Sequence, residues 1–364
     1  MSRPTEAQRS ASAGCPKKMV YGPCGGVRPD GGCEMLPMPC TFTHLVRWPG
    51  PVQPAQLPDR RAVNAPLVLT DLSVPPADAA GLTATARILA PSCDALLVGD
   101  HQDRPDFPPT MLAHLLAEAG ATPWVTLACR DRNRIVLEQE LRGLQEIGQA
   151  TALCVTGDGR AYDVRPDVTQ VFDLDGTRLA ALAASIGVPA AVVETPTASP
   201  IALRPQRLVQ KQRAGAAIAV LNHVGSAAAV ADFLTAARHF GLTIPVIASV
   251  AVYTDPRSAA VLTALPGLEL DQSTVETVLA ATDPVAAGIE AAVAEAGALL
   301  AIDGVHGVNL SGLASARGTA FAAEVQAEIG HRVRSEHRSS TEYNQPANMT
   351  TNSEQPPDNG EQRR

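Results

Sequence analysis

The chain has 364 residues, of which 45% are hydrophobic and only 3% aromatic, so it can form a large core of mainly aliphatic side chains. Its formal net charge of −8 argues against a nucleic-acid or anionic-membrane partner, whose phosphates would be repelled. No uninterrupted apolar run is long enough to cross a bilayer, so the sequence predicts no transmembrane helix.

The N-terminal residues 1–14 are small and polar, and they lack the apolar region of an export signal. The chain has seven cysteines, and this odd number without an export signal indicates free thiols in a reducing compartment. We therefore expect a disordered leader over residues 1–14 and a cytoplasmic protein.

Four of the cysteines lie in one glycine- and proline-rich stretch, CPKKMVYGPCGGVRPDGGCEMLPMPC, over residues 15–40. They are Cys15, Cys24, Cys33 and Cys40, and none of them forms a Cys-x-x-Cys pair. Four thiolates are the ligand set of a structural Zn²⁺ or an iron–sulfur cluster. Because residues 15–47 contain too few apolar side chains to fold alone, metal binding would supply the missing free energy. The alternatives are a flexible segment with unligated thiols and, third, disulfides.

Two further segments lack the periodicity of helices and strands. The prolines of residues 48–65 predict a linker that crosses a surface. Residues 331–364 have few aliphatic side chains, so they bury too little apolar area to offset the entropy of ordering. We expect this C-terminal segment to be a disordered tail.

Between these flanks, over residues 66–330, short aliphatic runs alternate with helical patterns. In the run over 133–148, leucines recur at helical spacing on one face, and the run over 226–241 ends at a glycine suited to a C-cap. The strand candidates are residues 66–74, 93–100, 122–129, 151–158, 188–195, 216–223, 244–252 and, less clearly, 301–310. Cys93, Cys129 and Cys154 fall in these strands and are expected to be small buried hydrophobes. The pattern fits a (β/α)₈ TIM barrel better than a doubly wound sheet, because no G-x-G-x-x-G follows any strand.

In such a barrel, functional side chains lie directly after the strands, at the C-terminal face. Polar residues in these positions are Asp71, Asp100, His101, Gln102, the run Cys129 to Asn133, Thr156, Gly157, Asp158, Asn222, His223, Asp303 and His306. Individually they have ordinary interpretations, such as a helix cap for Asp131 or Asn133. Several polar groups at one rim nevertheless indicate a functional site.

The stretch TLACRDRNRIVLEQELRGLQEIGQATALCVTGD over residues 126–158 resembles the third-to-fourth strand segment of methylenetetrahydrofolate reductases. VFDLD (171–175), RLVQKQRAGA (207–216), the double proline at 75–76 and the GVHG near the end are similar to segments of that family in the same order. The resemblance implies a TIM barrel that transfers hydride from NAD(P)H through bound FAD to 5,10-methylenetetrahydrofolate. The product would be 5-methyltetrahydrofolate, in one-carbon and methionine metabolism, and self-association into a homo-oligomer is compatible with the family.

The resemblance also implies roles for individual residues. Asp158 matches an aspartate beside the flavin that tunes cofactor and folate binding, and Gly157 lets the backbone approach the isoalloxazine ring. Lys211 matches a lysine that contacts a cofactor phosphate, although a solvated helix face is the ordinary alternative.

Three departures from the family lie at the predicted catalytic rim. The glutamate that protonates the folate N10 is replaced by Leu72, and the nearest acid, Asp71, lies one residue earlier. On a regular strand a shift of one residue reverses the side chain, but a β-bulge could restore the direction of Asp71, which would then be a shorter acid reaching the same place. Asn222 replaces a glutamine that binds the pterin, and ETPTASP (194–200) lacks the Gly-Ala-Ala-x-x-Pro character of a flavin-contacting loop.

The cysteine-rich stretch resembles a separate module, the methylenetetrahydrofolate reductase C-terminal domain, placed here ahead of the barrel. Two functions follow from these resemblances. The first is a flavin-dependent reductase in which Asp71 and Asp158 act on folate. The second is a catalytically degenerate folate-binding or metal-carrying partner subunit of a reductase or methyltransferase.

Overall fold

The computed structural model describes residues 14–58, 65–159, 165–265, 267–312 and 314–343, with the side chains of 337–343 excepted. Eight parallel strands follow one another around a closed barrel, and the eighth pairs with the first. The strands are β1 (Leu67–Leu72), β2 (Ala95–Val98), β3 (Pro123–Ala128), β4 (Thr151–Val155), β5 (Ala190–Glu194), β6 (Ile218–Leu221), β7 (Val246–Ala251) and β8 (Val305–Ser311). The predicted (β/α)₈ barrel is confirmed.

Helices connect the strands and cover the outside of the barrel. They are α1 (Ala79–Leu89), α2 (Pro109–Glu118), α3 (Arg134–Ile147), α4 (Gly176–Ile186), α5 (Arg204–Arg213), α6 (Ala227–His239), α7 (Pro256–Thr263), α8 (Gln272–Ala280), α9 (Pro284–Leu300) and α10 (Thr319–Tyr343). The two helices that the sequence predicts most clearly are α3 and α6. Asn133 caps α3 by accepting a hydrogen bond from the Val136 N–H at 3.0 Å, so its ordinary interpretation holds.

Alternation along the strands divides the core into two layers. On β1, Leu67 and Leu69 pack inside the barrel, whereas Val68 and Leu72 pack outward among the helices. The inner layer is small and is built largely from aliphatic side chains with Trp124. Cys93, Cys129 and Cys154 are buried in the outer layer, as expected of small hydrophobes.

Helix α10 continues through residues 331–343, which the sequence assigns to a disordered tail. Residues 344–364 of that tail lie outside the described residues, as do residues 1–13 of the expected leader. Within the described part of the chain, no helix combines the length and apolarity needed to cross a membrane.

The cysteine-rich segment packs on the barrel. Arg204 of α5 donates a hydrogen bond to the Cys24 carbonyl at 2.8 Å, and the Val20 N–H donates to Asp175 at 3.1 Å. Trp48 lies in the predicted linker, yet it is buried and its N–H donates to Gln210 of α5 at 2.8 Å. The segment therefore forms part of the barrel's surface instead of extending away from it.

Candidate functional site

Two adjoining cavities open at the C-terminal ends of the strands. Cavity I has a volume of about 870 Å³ and cavity II of about 510 Å³. Both volumes lie in the range of ordinary small-molecule sites, roughly 300–1,000 Å³. The residues that line both are Gly99, Asp100, Gln102, Thr126, Asp158, Val193 and Asn222. Two ligands in these cavities would therefore be neighbours.

Asp71 is one of the acids that line cavity II. It belongs to the inward-facing set of β1 with Leu67 and Leu69, whereas Leu72 faces the helices. The pairings of β1 with β2 and β8 keep a regular register, so no bulge redirects Asp71. Asp71 therefore faces the cavity without the bulge that the sequence analysis considered, and its correspondence to the family glutamate stays a prediction.

The carboxylate of Asp71 accepts two hydrogen bonds from β8. Ser311 Oγ donates to Oδ2 at 2.7 Å, and Asn309 Nδ2 donates to Oδ1 at 3.1 Å. Burial raises the pKa of Asp71, and these two donors oppose that rise without cancelling it. A carboxyl with a raised pKa in a cavity is suited to donate a proton.

Asp158 lies between the two cavities, at the turn that follows β4. Its Oδ2 accepts a hydrogen bond from Gln102 Nε2 at 3.2 Å. Gly157 has a φ of +87°, and a Cβ at this position would approach the Arg130 Cβ to 3.1 Å. Glycine is therefore required by the backbone of this turn.

The charged run after β3 forms an ion-pair network beneath the cavity rim. The buried Arg130 guanidinium binds Asp131 at 2.8 Å and Asp100 at 3.1 Å, and Arg132 binds the other oxygen of Asp100 at 3.1 Å. These contacts join the loop after β2 to the loop after β3. The network fixes the shape of the rim that Asp158 shares.

Lys211 lines cavity I, but its ammonium is bound to other groups of the protein. It pairs with Glu194 at 2.9 Å and donates to the Val193 carbonyl. Arg207 and Arg204 also bind the Glu194 carboxylate, at 2.8 and 3.4 Å. Burial alone would raise the pKa of Glu194, but the three cations lower it to about 2. Burial, and then repulsion from Arg207, lowers the pKa of Lys211 to about 7.

The sequence did not identify Glu194 as part of this site, although it ends an aliphatic strand as a lone acid. Gly157, Asp158 and Lys211, the predicted cofactor-binding residues, line one cavity. The flavin contacts assigned to Gly157 and Asp158 stay a prediction. The phosphate contact assigned to Lys211 would require its ammonium to leave Glu194 or to share it.

Asn222 and His223 follow β6. Asn222 lines both cavities, and its Nδ2 donates to Thr195 Oγ1 at 2.7 Å. His223 lines cavity II, where its Nε2 lies 2.6 Å from Glu295 Oε1. Burial disfavours the charged ring, yet Glu295 raises the pKa of His223 overall.

Asp303 and His306 do not belong to the site, contrary to the prediction that they lie after the last strand. Asp303 precedes β8 and is almost fully exposed, and His306 is exposed near the start of that strand. The strand begins four residues later than predicted and ends one residue later, at Ser311, so Asn309 and Ser311 occupy the functional end. The sequence missed both, because Asn309 was assigned to the interior of the predicted strand and Ser311 lay just beyond its predicted end.

The four cysteines of the N-terminal segment line one small cavity of about 20 Å³. Within the described part of the chain, however, no group of three or more His, Cys, Asp or Glu side chains is arranged to hold a metal ion. Burial raises the pKa of Cys15 and of Cys40. The thiols thus share a cavity without coordination geometry, and the metal site stays a prediction.

The N-terminal segment also forms a wall of cavity I. Cys24 and Lys17 line both cavity I and the thiol cavity. The Lys17 ammonium donates to the Gly157 carbonyl at 2.7 Å and pairs with Glu34. The thiols therefore lie next to the turn that carries Asp158.

Comparison with known proteins gives a family match for the N-terminal segment and a similar fold for the barrel. Residues 7–50 match the family model described as methylene-tetrahydrofolate reductase C terminal. No curated protein matches the chain.

Two solved structures are similar to the barrel. An uncharacterized protein from Clostridium thermocellum that binds two copies of 5-methyl-5,6,7,8-tetrahydrofolic acid is 12% identical, with a TM-score of 0.53. The match covers 72% of this chain and 93% of that one. Tryptophan synthase from M. tuberculosis is 15% identical over 75% of this chain and 94% of its own, with a TM-score of 0.41. The N-terminal segment is thus similar to the methylene-tetrahydrofolate reductase C-terminal family, and the barrel shares its fold with the Clostridium thermocellum protein.

Proposed function

We propose that this protein is a folate-dependent oxidoreductase that converts 5,10-methylenetetrahydrofolate to 5-methyltetrahydrofolate. The observation that carries the proposal is the Asp71 carboxyl, which faces cavity II and has a raised pKa. The family match over residues 7–50 and a folate-binding structure with a similar fold support the substrate class. The reaction belongs to one-carbon and methionine metabolism in the cytoplasm.

Cavity II offers the groups that a reduced folate requires. Asp71 would donate its proton to N10 and open the five-membered ring, and the resulting carboxylate would keep its two donors from β8. Asn222 would present its amide to the pterin edge, as glutamine does in the resembling family. The apolar side chains of the cavity, which include Phe107 and Leu268, would exclude water around the bound molecule.

Cavity I is the proposed site of FAD. When bound, FAD would supply hydride transfer from NAD(P)H to the folate carbon. Gly157 and Asp158 would lie against the ring, and Lys211 with Arg207 would provide the positive charge nearest to an anionic part of the cofactor. Because Asp158 lines both cavities, it would face both ligands.

The test combines absorption spectroscopy with turnover. The purified protein should carry, or take up on addition, FAD with its two visible bands, and should oxidise NAD(P)H when methylenetetrahydrofolate is present. A colourless protein that shows no folate-dependent oxidation of NAD(P)H after FAD is added would refute the reductase. Isothermal titration with 5-methyltetrahydrofolate measures folate binding separately.

A second function is favoured by the contacts of Lys211. Its ammonium is held by Glu194, and the N-terminal segment encloses cavity I beside it. These contacts support a barrel that binds folate without flavin and serves as a subunit of a reductase or methyltransferase. Folate binding in titration, with neither flavin uptake nor turnover, would identify this function instead.

The four cysteines are proposed to bind Zn²⁺ or an iron–sulfur cluster. Their common cavity and the family match of their segment support this proposal. Coordination would draw the four sulfurs inward and would replace their protons with the metal.

A further inference from the structure

Asp71 of β1 is bracketed by two polar residues of β8. In the parallel pairing of these strands, Leu69 lies opposite Asn309 and Thr70 lies opposite Leu310. The inward-facing positions of both strands therefore stack at the mouth of the barrel, with Asn309 below and Ser311 beside the carboxyl of Asp71.

The three side chains form a continuous hydrogen-bond chain. Asn309 Nδ2 donates to Asp71 Oδ1 at 3.1 Å and to Ser311 Oγ at 3.0 Å, and Ser311 Oγ donates to Asp71 Oδ2 at 2.7 Å. Asn309 and Ser311 are buried, so water does not replace these donors. Both hydrogen bonds donated to Asp71 stabilise its ionised form.

The opposite end of the Asn309 amide has an unusual environment. Its buried Oδ1 has no hydrogen-bond partner among the described residues. A buried amide oxygen without a partner is costly, and nothing in the described part of the chain fixes the amide orientation except Asp71 and Ser311. A half-turn of the amide would present Oδ1 to Asp71, where it would accept a hydrogen bond from the protonated carboxyl.

We propose that Asn309 and Ser311 are positioning residues that set the acidity of Asp71, with the Asn309 amide turning over as Asp71 loses its proton. In the protonated state, Asn309 Oδ1 accepts from the Asp71 hydroxyl. When the proton passes to the substrate nitrogen, the O–H bond breaks, its electron pair stays on Asp71, and an N–H bond forms on the substrate. Nδ2 and the Ser311 hydroxyl then stabilise the carboxylate. This inference rests on the proposed function for the identity of the proton acceptor.

Other titratable groups face the same space and could influence Asp71. Those lining cavity II are Asp78, Asp100, His101, Asp106, Asp158 and His223. Among the described residues, only Ser311 and Asn309 have side-chain hydrogen bonds that lower the pKa of Asp71. The effect of the pair is therefore separable from that of the other groups.

The experiment measures the protonation of Asp71 directly, without folate. In protein labelled with ¹³C-aspartate, infrared spectroscopy detects the carbonyl band of the protonated acid, and the band that is absent from Asp71→Asn belongs to Asp71. Ser311→Ala and Asn309→Leu each remove a donor to the carboxylate, so each should move the titration of this band to higher pH. Ser311→Thr keeps the hydroxyl and should return the titration toward that of the native protein.

Thr70→Val is the matched control, since Thr70 is adjacent on β1 but lies outside the inward-facing set. Circular dichroism establishes that each variant folds, and Asn309→Ser, with a side chain too short to reach Asp71, replaces Asn309→Leu if the latter does not fold. An unchanged titration in folded Ser311→Ala and folded Asn309 variants would overturn the inference.

Turnover tests the proposed function independently. Where the reductase activity is present, Ser311→Ala should lower kcat about tenfold, with a smaller change in KM and with the alkaline limb moved to higher pH. If the variants shift the infrared titration but the protein has no reductase activity, the inference about Asn309 and Ser311 stands and the proposed function is refuted. If the protein has reductase activity but the titration does not shift, the proposed function stands and the inference about Asn309 and Ser311 is refuted.

Discussion

At the residue scale, the direction of Asp71 decides the chemistry that cavity II can perform. Alignment on the double proline suggested that Leu72 occupies the catalytic position, and that Asp71 faces away. In the barrel Asp71 nevertheless faces cavity II, because Leu67, Leu69 and Asp71 share the inward face of a regular strand. Distances in sequence from a loop motif do not determine the face of a strand, whereas period-two alternation does.

Asp71→Asn should remove the proton that this side chain donates while keeping the size and shape of the side chain. In Asp71→Asn, we expect turnover of methylenetetrahydrofolate to fall by about 100-fold or more, since a positioned acid contributes on that order. Folate binding should change much less. Steady-state kinetics and isothermal titration measure the two effects, and a loss of turnover below about tenfold, or about 1.4 kcal/mol of barrier, would remove Asp71 from the mechanism.

The pH dependence of the proposed activity follows from the raised pKa of Asp71. The acid is active when protonated, and its ordinary value of 3.8 is raised in the folded protein. Activity assigned to this proton should therefore be present at low pH and be lost as pH rises through the folded value. A kcat profile should show this alkaline loss, and Asp71→Asn should lack it. An identical limb in both proteins would assign the titration to another group.

Glu194 provides a second residue-scale test, because it is buried between three cations. Its pKa falls from 4.5 to about 2, so its ionisation contributes about 3 kcal/mol above pH 4.5. That contribution should be lost as pH falls toward about 2. Glu194→Gln leaves the cations without their carboxylate and should lower the free energy of unfolding by about 3–5 kcal/mol.

Urea unfolding at neutral and acidic pH measures this loss. Glu290→Gln is the control, because Glu290 binds Arg332 with 67% of its side chain exposed. The control should leave the free energy of unfolding nearly unchanged, since exposed ion pairs contribute little. Equal effects of the two substitutions would show that the Glu194 cluster does not stabilise the fold.

At the scale of the element, the barrel was largely predictable. All eight aliphatic runs became strands, because a parallel strand covered on both faces requires apolar side chains throughout. The bounds predicted for the eighth strand were wrong at both ends. Gly304 and Gly307 obscured its start, and the polar residues Asn309 and Ser311 at its end did not continue the aliphatic pattern. Polar inward-facing positions are what a functional strand end requires, and they weaken the signal that identifies a strand.

Helix α3 offers a test of local determinants. Asn133 caps its first turn, and Gly148 ends it with a φ of +79°. Asn133→Ala should lower the free energy of unfolding by about 1 kcal/mol. Asn133→Ser should keep most of the stability that the cap provides, because serine also caps helices. Thermal or urea unfolding distinguishes the two variants. If both lose the same amount, the side-chain cap is not the cause.

At the scale of the whole molecule, the N-terminal segment is the feature that the sequence described least well. Its cysteines and glycines suggested an accessory module on a linker. Its contacts with the barrel join residues 140 or more positions apart, such as Lys17 with Gly157 and Arg204 with Cys24. Contacts between a side chain and a distant backbone carbonyl leave no pattern in the sequence, so the shared wall of cavity I could not be foreseen.

Metal content tests the proposal for the four thiols. Protein purified under reducing, anaerobic conditions should contain one Zn²⁺ or one iron–sulfur cluster per chain, and Cys24→Ser should contain substantially less. Cys93→Ser is the control, because Cys93 is buried in the barrel core and should not affect the metal. Elemental analysis gives the result, and equal metal content in Cys24→Ser and the native protein would refute the site.

The enclosure of cavity I by the N-terminal segment has a consequence for biosynthesis. During translation, residues 15–40 leave the ribosome before α5 and the turn after β4, the surfaces on which they pack. At a translation rate of roughly 5–20 residues per second, about ten to thirty seconds pass between synthesis of the thiol segment and synthesis of residue 213. Throughout that interval the thiols are exposed to the surrounding solution, without the barrel to cover them. Metal binding or thiol oxidation during this interval would therefore determine how the N-terminal segment forms the wall of cavity I, before any ligand can enter the cavity.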